Sequence, residues 1–173
     1  MNQPITFRSA TLNDAAALRE LAISSFVHAY ERYNTPEDMQ KYLSEHFSEE
    51  NIIKEIFDGN ILFLLAMREK QIVGYAKLLF HTQYEVDAKN PIEISRLYTR
   101  IEKIGTGIGK LLVEEIVRYG VHTGFDAICL GVWQKNTAAV RFYEREGFII
   151  SGTTTFVLGT DVQDDFIMLK KLN

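Results

Sequence analysis

The stretch IEKIGTGIGKLL, residues 101–112, places three glycines in five positions and runs at once into a helical pattern. Gly105, Gly107 and Gly109 cost conformational entropy, which a chain tolerates where the backbone must adopt unusual angles or be approached closely. The run IEISRLYTR before them reads as a strand, and Leu111, Leu112, Ile116 and Val117 after them share one helical face. The rest of the fold must therefore fit around a strand, a short glycine loop and a helix N-terminus. Such a terminus presents unpaired N–H groups and a partial positive charge, a setting that suits phosphate oxygens. Spacing excludes two phosphate loops. A P-loop requires glycine where Ile104 stands and Ser or Thr where Leu111 stands. A dinucleotide fingerprint counted from Gly105 requires glycine at Lys110. The loop alone is equally compatible with a tight turn that binds nothing.

The remaining elements follow from periodicity and punctuation. ITFRSA is a short strand, and TLNDAAALRELAISSFVHAY is a helix with Thr11 or Asn13 as its cap. Thr35, Pro36 and Asp38 open a second helix, with Asp38 placed to close a capping box. Ser48 opens a third helix, which Gly59 ends. ILFLLAMR and IVGYAKLLFH form a hairpin across a turn at Glu69, Lys70 and Gln71. After a loop come the strand IEISRLYTR, the glycine loop and a helix from Ile108 to His122 that Gly124 stops. AICLGVW is a buried strand, and NTAAVRFYEREG is a helix capped by Asn136 and ended by Gly147. FIISGTTTFVL and DFIMLKK are the last two strands. The order predicts an α/β class, a mixed sheet with helices on both faces, in one domain over residues 1–173.

Composition narrows the chemistry. A net charge of −4 and the lack of a basic tract argue against a nucleic-acid partner. The N-terminal MNQPITFRSA has no apolar signal core, and the longest apolar run, ILFLLAM, is too short for a membrane span. A lone cysteine, Cys129, fits a reducing compartment, and its apolar strand marks it as a core residue. A cytoplasmic protein with no membrane partner is expected. His28, His46, His81 and His122 show no metal-ligand spacing, so no metal is expected.

One strand after the glycine loop, residues 136–148 read NTAAVRFYEREGF, bringing Asn136, Ala139, Phe142, Tyr143, Gly147 and Phe148 together. With this second motif the sequence resembles the GCN5-related N-acetyltransferases, the GNAT family. The family's acetyl-CoA loop, Q/R-x-x-G-x-G/A, corresponds to Ile104, Gly105, Thr106, Gly107, Ile108 and Gly109, and EISRLYT resembles the family's fourth strand. The resemblance spans nearly the whole chain. It implies a largely antiparallel sheet of about seven strands with a splayed central pair. It also implies transfer of acetyl from acetyl-CoA to a primary amine, with CoA as product. The sequence departs from the motif at Ile104, where the family carries Gln or Arg; Lys103 or Lys110 can restore the missing charge.

The resemblance also implies roles. Tyr143 is the candidate acid for the leaving thiolate, against the alternative of a core tyrosine. Glu93 is the candidate for handling the amine proton, through water or by holding the cation. A carboxylate of pKa about 4.3 is a poor direct base for an amine of about 10.4. The alternative for Glu93 is a strand glutamate facing solvent. Leu97, Tyr98 and Thr99 bind the cofactor arm through their main chain, Lys110 joins residues 104–109 in the loop, and Asn136 binds the arm or caps its helix. Gly131 fits a bulge or splay, against the alternative of a continuous ladder in which it allows close packing. SSFVHAYERYNTPEDMQKYL, LGVWQKNTAAVRFYEREGF and DDFIMLKKL are similar to bacterial Pai-type spermidine/spermine acetyltransferases, which implies a polyamine acceptor. Glu31, Glu37, Asp38, Glu85 and Asp87 are candidate cation-binding residues, and Tyr30, Tyr33 and Trp133 candidate aromatic contacts; the alternative is a solvated face. Other acceptors left open are a protein N-terminus, a lysine or an antibiotic amine, and a non-catalytic acyl-CoA-binding regulator is the reading from another class. A homodimer through the late strands is implied by the resemblance alone.

Overall fold

The protein, seen in a computed structural model, is described over residues 3–172; Met1, Asn2 and Asn173 of the expected domain lie outside the described residues. The chain starts with β1 (Thr6–Ser9), a 3-10 turn at Leu12–Asp14 and α1 (Ala15–Tyr30). Thr11, and not Asn13, heads this turn. The Asp14 carboxylate accepts the Thr11 N–H at 2.8 Å and its hydroxyl at 2.9 Å. Arg8 grips the same carboxylate with two bonds of 2.7 and 2.8 Å.

The next two helices, α2 (Pro36–His46) and α3 (Glu49–Ile56), are capped as their sequences require. The hydroxyl oxygens of Thr35 and Ser48 accept the N–H groups of Asp38 and Asn51, each at 3.2 Å. Asp38 does not close a capping box. Its carboxylate accepts the Thr160 N–H at 3.0 Å and the Thr160 hydroxyl at 2.9 Å, tying α2 to a turn far along the chain. The third helix ends at Ile56, before the expected Gly59.

The remaining elements are β2 (Ile61–Arg68), β3 (Gln71–Leu79), β4 (Pro91–Thr99), α4 (Ile108–Thr123), β5 (Ala127–Trp133), α5 (Thr137–Arg145), β6 (Ile149–Leu158) and β7 (Asp161–Lys171). Among the described residues the seven strands form one sheet in the order β1-β2-β3-β4-β5-β7-β6. All neighbours are antiparallel except β4 and β5. The β2–β3 turn is shorter than expected, because Gln71 already pairs with Arg68 and leaves Glu69 and Lys70 to turn, Glu69 at φ 55°. The last strand starts at Asp161, ahead of the expected DFIMLKK, since it pairs with β6 from the turn onward.

Each face of the sheet is covered. Ile108, Leu112, Val113 and Ile116 of α4 pack with Leu64, Ala76, Leu78 and Ile94 of the strands. On the other face Leu18, Leu21, Phe26, Met39 and Ile52 from α1–α3 pack with Phe63, Leu65 and Tyr75. Burial of such side chains stabilises by roughly 1.5–3 kcal/mol each. A bulge sits in β4. Leu78 opposes Ile94 and Lys77 opposes Arg96, so Ser95 has no partner across the ladder. The extra residue reverses which side chains face which core. Ile94 enters the α4 core, but the next residue to do so is Leu97. Arg96 lies over the Phe47 ring at 4.1 Å, and Tyr98 joins the α1–α3 side.

Candidate active site

The parallel pair β4 and β5 is matched only at Pro91–Ala127, Ile92–Ile128 and Glu93–Cys129. Both strands continue, β4 held by β3 and β5 held by β7 as far as Trp133–Asp165. The expected splay is thus present, and it leaves main-chain N–H and C=O groups unmatched along two facing edges. Leu97, Tyr98 and Thr99 lie on one of these edges, paired with Ala76, Tyr75 and Gly74 on the far side.

The glycine loop ends beside this opening. Gly105 and Gly107 have φ of +78° and +87°, a region that disfavours side chains by about 1–2 kcal/mol per residue. Gly109 is different: a Cβ there would meet Phe142 at 3.5 Å and Leu97 at 3.8 Å, ordinary contacts. The turn requires the first two glycines; the third keeps the first helical turn bare. No side chain caps α4. Thr106 turns its hydroxyl back to the Lys103 carbonyl at 2.7 Å. Leu111 is the first residue of α4 whose N–H reaches a carbonyl, that of Gly107, so the N–H groups of Ile108, Gly109 and Lys110 are free. Gly74 brings this helix end in: a Cβ there would lie 3.1 Å from both the Tyr98 carbonyl oxygen and Ile108. These bare donors at a positive helix end fit a phosphate-bearing group. Ile104 is 59% exposed at the loop mouth, and Lys110 approaches Glu114 at 3.9 Å.

Asn136 does cap α5, its Oδ1 accepting the Ala139 N–H at 3.1 Å, which leaves its NH2 group to donate elsewhere. Tyr143 is buried on the α4–α5 side, edge-on to Phe142 and Phe148 with ring centres 5.0 and 5.5 Å away. Burial, with a smaller effect of Tyr98, pushes its phenol well above the ordinary range, so it stays protonated. Glu93 is buried too, and is not a solvent-facing strand residue. Ile92 and Ile94 enter the α4 core, so Glu93 between them faces the opposite side. It accepts the Thr82 hydroxyl at 2.7 Å. Burial raises its pKa, opposed by that bond and by the charge of Lys77.

Cys129, Gly131 and Trp133 alternate onto the same side. Burial pushes the Cys129 thiol up to about 11, in keeping with a core cysteine. Of the bulge or splay expected at Gly131, the splay is present, since β4–β5 pairing ends at Cys129, and the bulge is not, because β5 and β7 pair without interruption through Gly131–Ile167. Gly131 is bare for another reason: the Tyr84 hydroxyl lies 2.5 Å from where a Cβ would stand, and Asp165 Oδ2 lies 3.6 Å from it. Trp133 meets Tyr33 edge-on at 4.7 Å and Tyr30 at 6.5 Å. Beside them is a cleft of about 340 Å³ that also touches Lys135, Asp161, Gln163 and Asp164. A larger cleft of about 600 Å³ opens under residues 80–91, on the side away from the glycine loop, and touches Glu85. Two expected acidic candidates are engaged elsewhere: Asp38 with Thr160, and Asp87 with Lys171 at 3.0 Å. Tyr84, Thr82 and Asp165 escaped the sequence reading. The first two sit in a loop without periodicity, and Asp164–Asp165 reads as a polar strand start.

Among the described residues no group of three or more His, Cys, Asp or Glu could hold a metal ion, and no helix is long and apolar enough to cross a membrane. Comparison with known proteins gives a consistent picture. The description of the acetyltransferase (GNAT) family matches residues 16–148. An uncharacterized N-acetyltransferase of Lactobacillus delbrueckii subsp. lactis is 34% identical over 155 residues, covering 88% of this chain and 90% of the relative. A spermidine N(1)-acetyltransferase of Thermoplasma acidophilum is 28% identical over 171 residues, covering 96% and 97%. Among solved structures, the PaiA N-acetyltransferase of Thermoplasma acidophilum in complex with coenzyme A superposes with a TM-score of 0.81 at 27% identity, over 98% of this chain and 99% of that one.

Proposed function

Because the chain belongs to the acetyltransferase (GNAT) family and is an acetyl-CoA-dependent N-acetyltransferase, we propose that its acceptor is a polyamine such as spermidine or spermine. The observation that carries this reading is the cleft between Tyr33, Trp133 and the start of β7. It combines aromatic walls with Asp161 and Asp164, the chemistry that retains an extended polycation. The similarity to a spermidine acetyltransferase supports it.

Transfer makes three demands: the amine must lose a proton, the carbonyl oxygen must be stabilised as it gains charge, and the thiolate must be stabilised as it leaves. In this reading the free N–H groups of Ile108, Gly109 and Lys110, with the turn at Ile104, Gly105, Thr106 and Gly107, hold the pyrophosphate of acetyl-CoA. The unmatched main chain of Leu97, Tyr98 and Thr99, with the Asn136 NH2, holds its arm. Tyr143 donates a hydrogen bond to the departing sulfur. Its raised pKa means that it stabilises the thiolate as a donor first and gives up its proton only as that charge forms. Glu93 takes the amine proton through water from its place at the last matched pair of the splay.

CoA release from acetyl-CoA across spermidine, spermine, a lysine peptide and an aminoglycoside tests the reading. Turnover concentrated on the two polyamines is expected. Turnover only on the peptide or the antibiotic replaces the acceptor. Acetyl-CoA binding without turnover on any amine replaces the reading with an acyl-CoA-binding regulator, for which exposed Ile104 in the loop is the one favourable feature.

A further inference from the structure

Two oxygen atoms two residues apart on one face of β7 are buried without a hydrogen-bond partner, Oδ1 of Asp165 and Oε1 of Gln163. Asp165 is 8% exposed and Gln163 3%. The Gln163 amide is oriented by Asp161, whose Oδ2 accepts its NH2 at 2.7 Å, so its oxygen is the atom left over. Among the described residues no lysine, arginine or histidine pairs with Asp165. A buried carboxylate without a cation or a full set of donors is costly, and packing alone does not maintain it.

The surroundings suit a positive guest. Across the ladder from Asp165 stands Trp133, and its Oδ2 points at the bare face of Gly131. Tyr84 from the loop and Tyr30 from α1 face it, both held as neutral phenols by burial. The neighbouring Asp164 adds negative charge, while Lys135 stands off over the Trp133 ring at 5.9 Å. Burial first, and Asp164 second, raise the Asp165 pKa to about 6, so above that pH the carboxylate is charged. The aromatic cleft ends against Gln163 and Asp164, the two residues that precede Asp165 in β7.

We propose that Asp165 binds the acceptor: the ammonium group of the incoming amine seats against its carboxylate beside Gly131, with Gln163 Oε1 accepting a second N–H. The assignment rests on amine acetylation and on no particular amine. No bond changes at Asp165; it positions the amine. Glu93, already engaged by Thr82, is the separate group that takes the proton through water. Asp165 thereby selects alkylammonium acceptors over neutral isosteres of the same shape.

The test is Asp165→Asn in the full chain, with steady-state kinetics from pH 5.5 to 10 on the amine the wild type acetylates fastest. At pH 7.5 the amine KM rises about 10–100-fold. The kcat changes little and the acetyl-CoA KM stays put. The wild-type amine KM climbs about tenfold per pH unit below pH 6, where the Asp165 carboxyl protonates, and the variant's does not. An unchanged amine KM overturns the proposal, as does a loss in kcat and both KM values that is the same at every pH. Calorimetric titration of that same amine into each protein with CoA present makes the same comparison without turnover. Equal affinities there overturn the role of Asp165, whereas wild-type turnover on an amine other than a polyamine overturns only the polyamine reading.

Discussion

Glu93 and Cys129 are the last residues that β4 and β5 hold in register, and Leu97, Tyr98 and Thr99 lie on one edge of the gap that opens beyond them. The bulge at Ser95 falls within two residues of that point and sends Leu97 and Tyr98 into opposite cores.

The three glycines of the loop separate turn formation from ligand approach. Gly107→Ala places a side chain at φ +87° and lowers stability by about 1–2 kcal/mol in denaturant titration. Gly109→Ala makes only ordinary contacts and gains helix propensity of up to about 1 kcal/mol, so the variant stays folded. It nevertheless binds acetyl-CoA more weakly, because the added methyl occupies the bare turn. Equal acetyl-CoA affinity in Gly109→Ala and wild type would remove this loop from the binding site.

Tyr143→Phe lowers kcat about 100-fold and leaves the acetyl-CoA KM within a few-fold. Among the described residues no side chain or main-chain group hydrogen-bonds the hydroxyl, so the unfolding midpoint moves little. A variant that is as fast as wild type would reduce Tyr143 to a packing residue.

Gly131→Ala drives a methyl group against the Tyr84 hydroxyl and displaces the loop above it. The amine KM rises while acetyl-CoA binding is kept, and Tyr84→Phe combined with Gly131→Ala recovers part of the loss. If the double variant is no better than the single one, the crowding lies elsewhere.

Asp14 and Asp165 give opposite pH signatures. Arg8, with help from Thr11, holds the Asp14 carboxylate well below its ordinary range, so its stabilisation is present above about pH 4 and fades as pH falls toward the depressed native value. Arg8 is 44% exposed, and solvent screening limits the contribution to about 1–2 kcal/mol, which Asp14→Asn loses at pH 7. Asp165 has its native pKa raised to about 6. Its favourable contribution is complete below about pH 4 and is lost as pH rises through 6. Asp165→Asn is therefore more stable than wild type at pH 7.5 by roughly 1–3 kcal/mol, a gap that closes at pH 4. Urea titrations at the two pH values check both signs, and a less stable Asp165→Asn at pH 7.5 would contradict the buried unpaired carboxylate.

The parts of this molecule governed by short-range rules were legible in the sequence. Thr35, Ser48 and Asn136 cap the helices they precede, and Gly124 and Gly147 adopt positive φ where helices stop. The splay was expected from the family resemblance and not from any local rule. The rest depended on contacts between distant segments. Asp38 has a capping-box spacing, yet a turn more than a hundred residues away offers two donors where its own helix offers one. The contact that keeps Gly131 bare was not legible, because Tyr84 comes from a loop with no pattern to place it. Asp165 stands beside another aspartate where the sequence pattern begins the strand; it lies four residues into β7, and only the register with Trp133 turns it inward.

The bond between Asp38 and Thr160 spans 122 residues, and Gly159 is bare because that carboxylate fills the space beside it. Its consequence concerns folding. The wall proposed to receive the amine draws on the turn after α1, on β5 and on β7, segments far apart in sequence. The contact between Asp38 and Thr160 pins α2 to the turn between β6 and β7, and closing so long a loop costs entropy that a local hairpin does not. The glycine loop needs only its neighbouring strand and helix, whereas the acceptor wall exists only once distant segments have met.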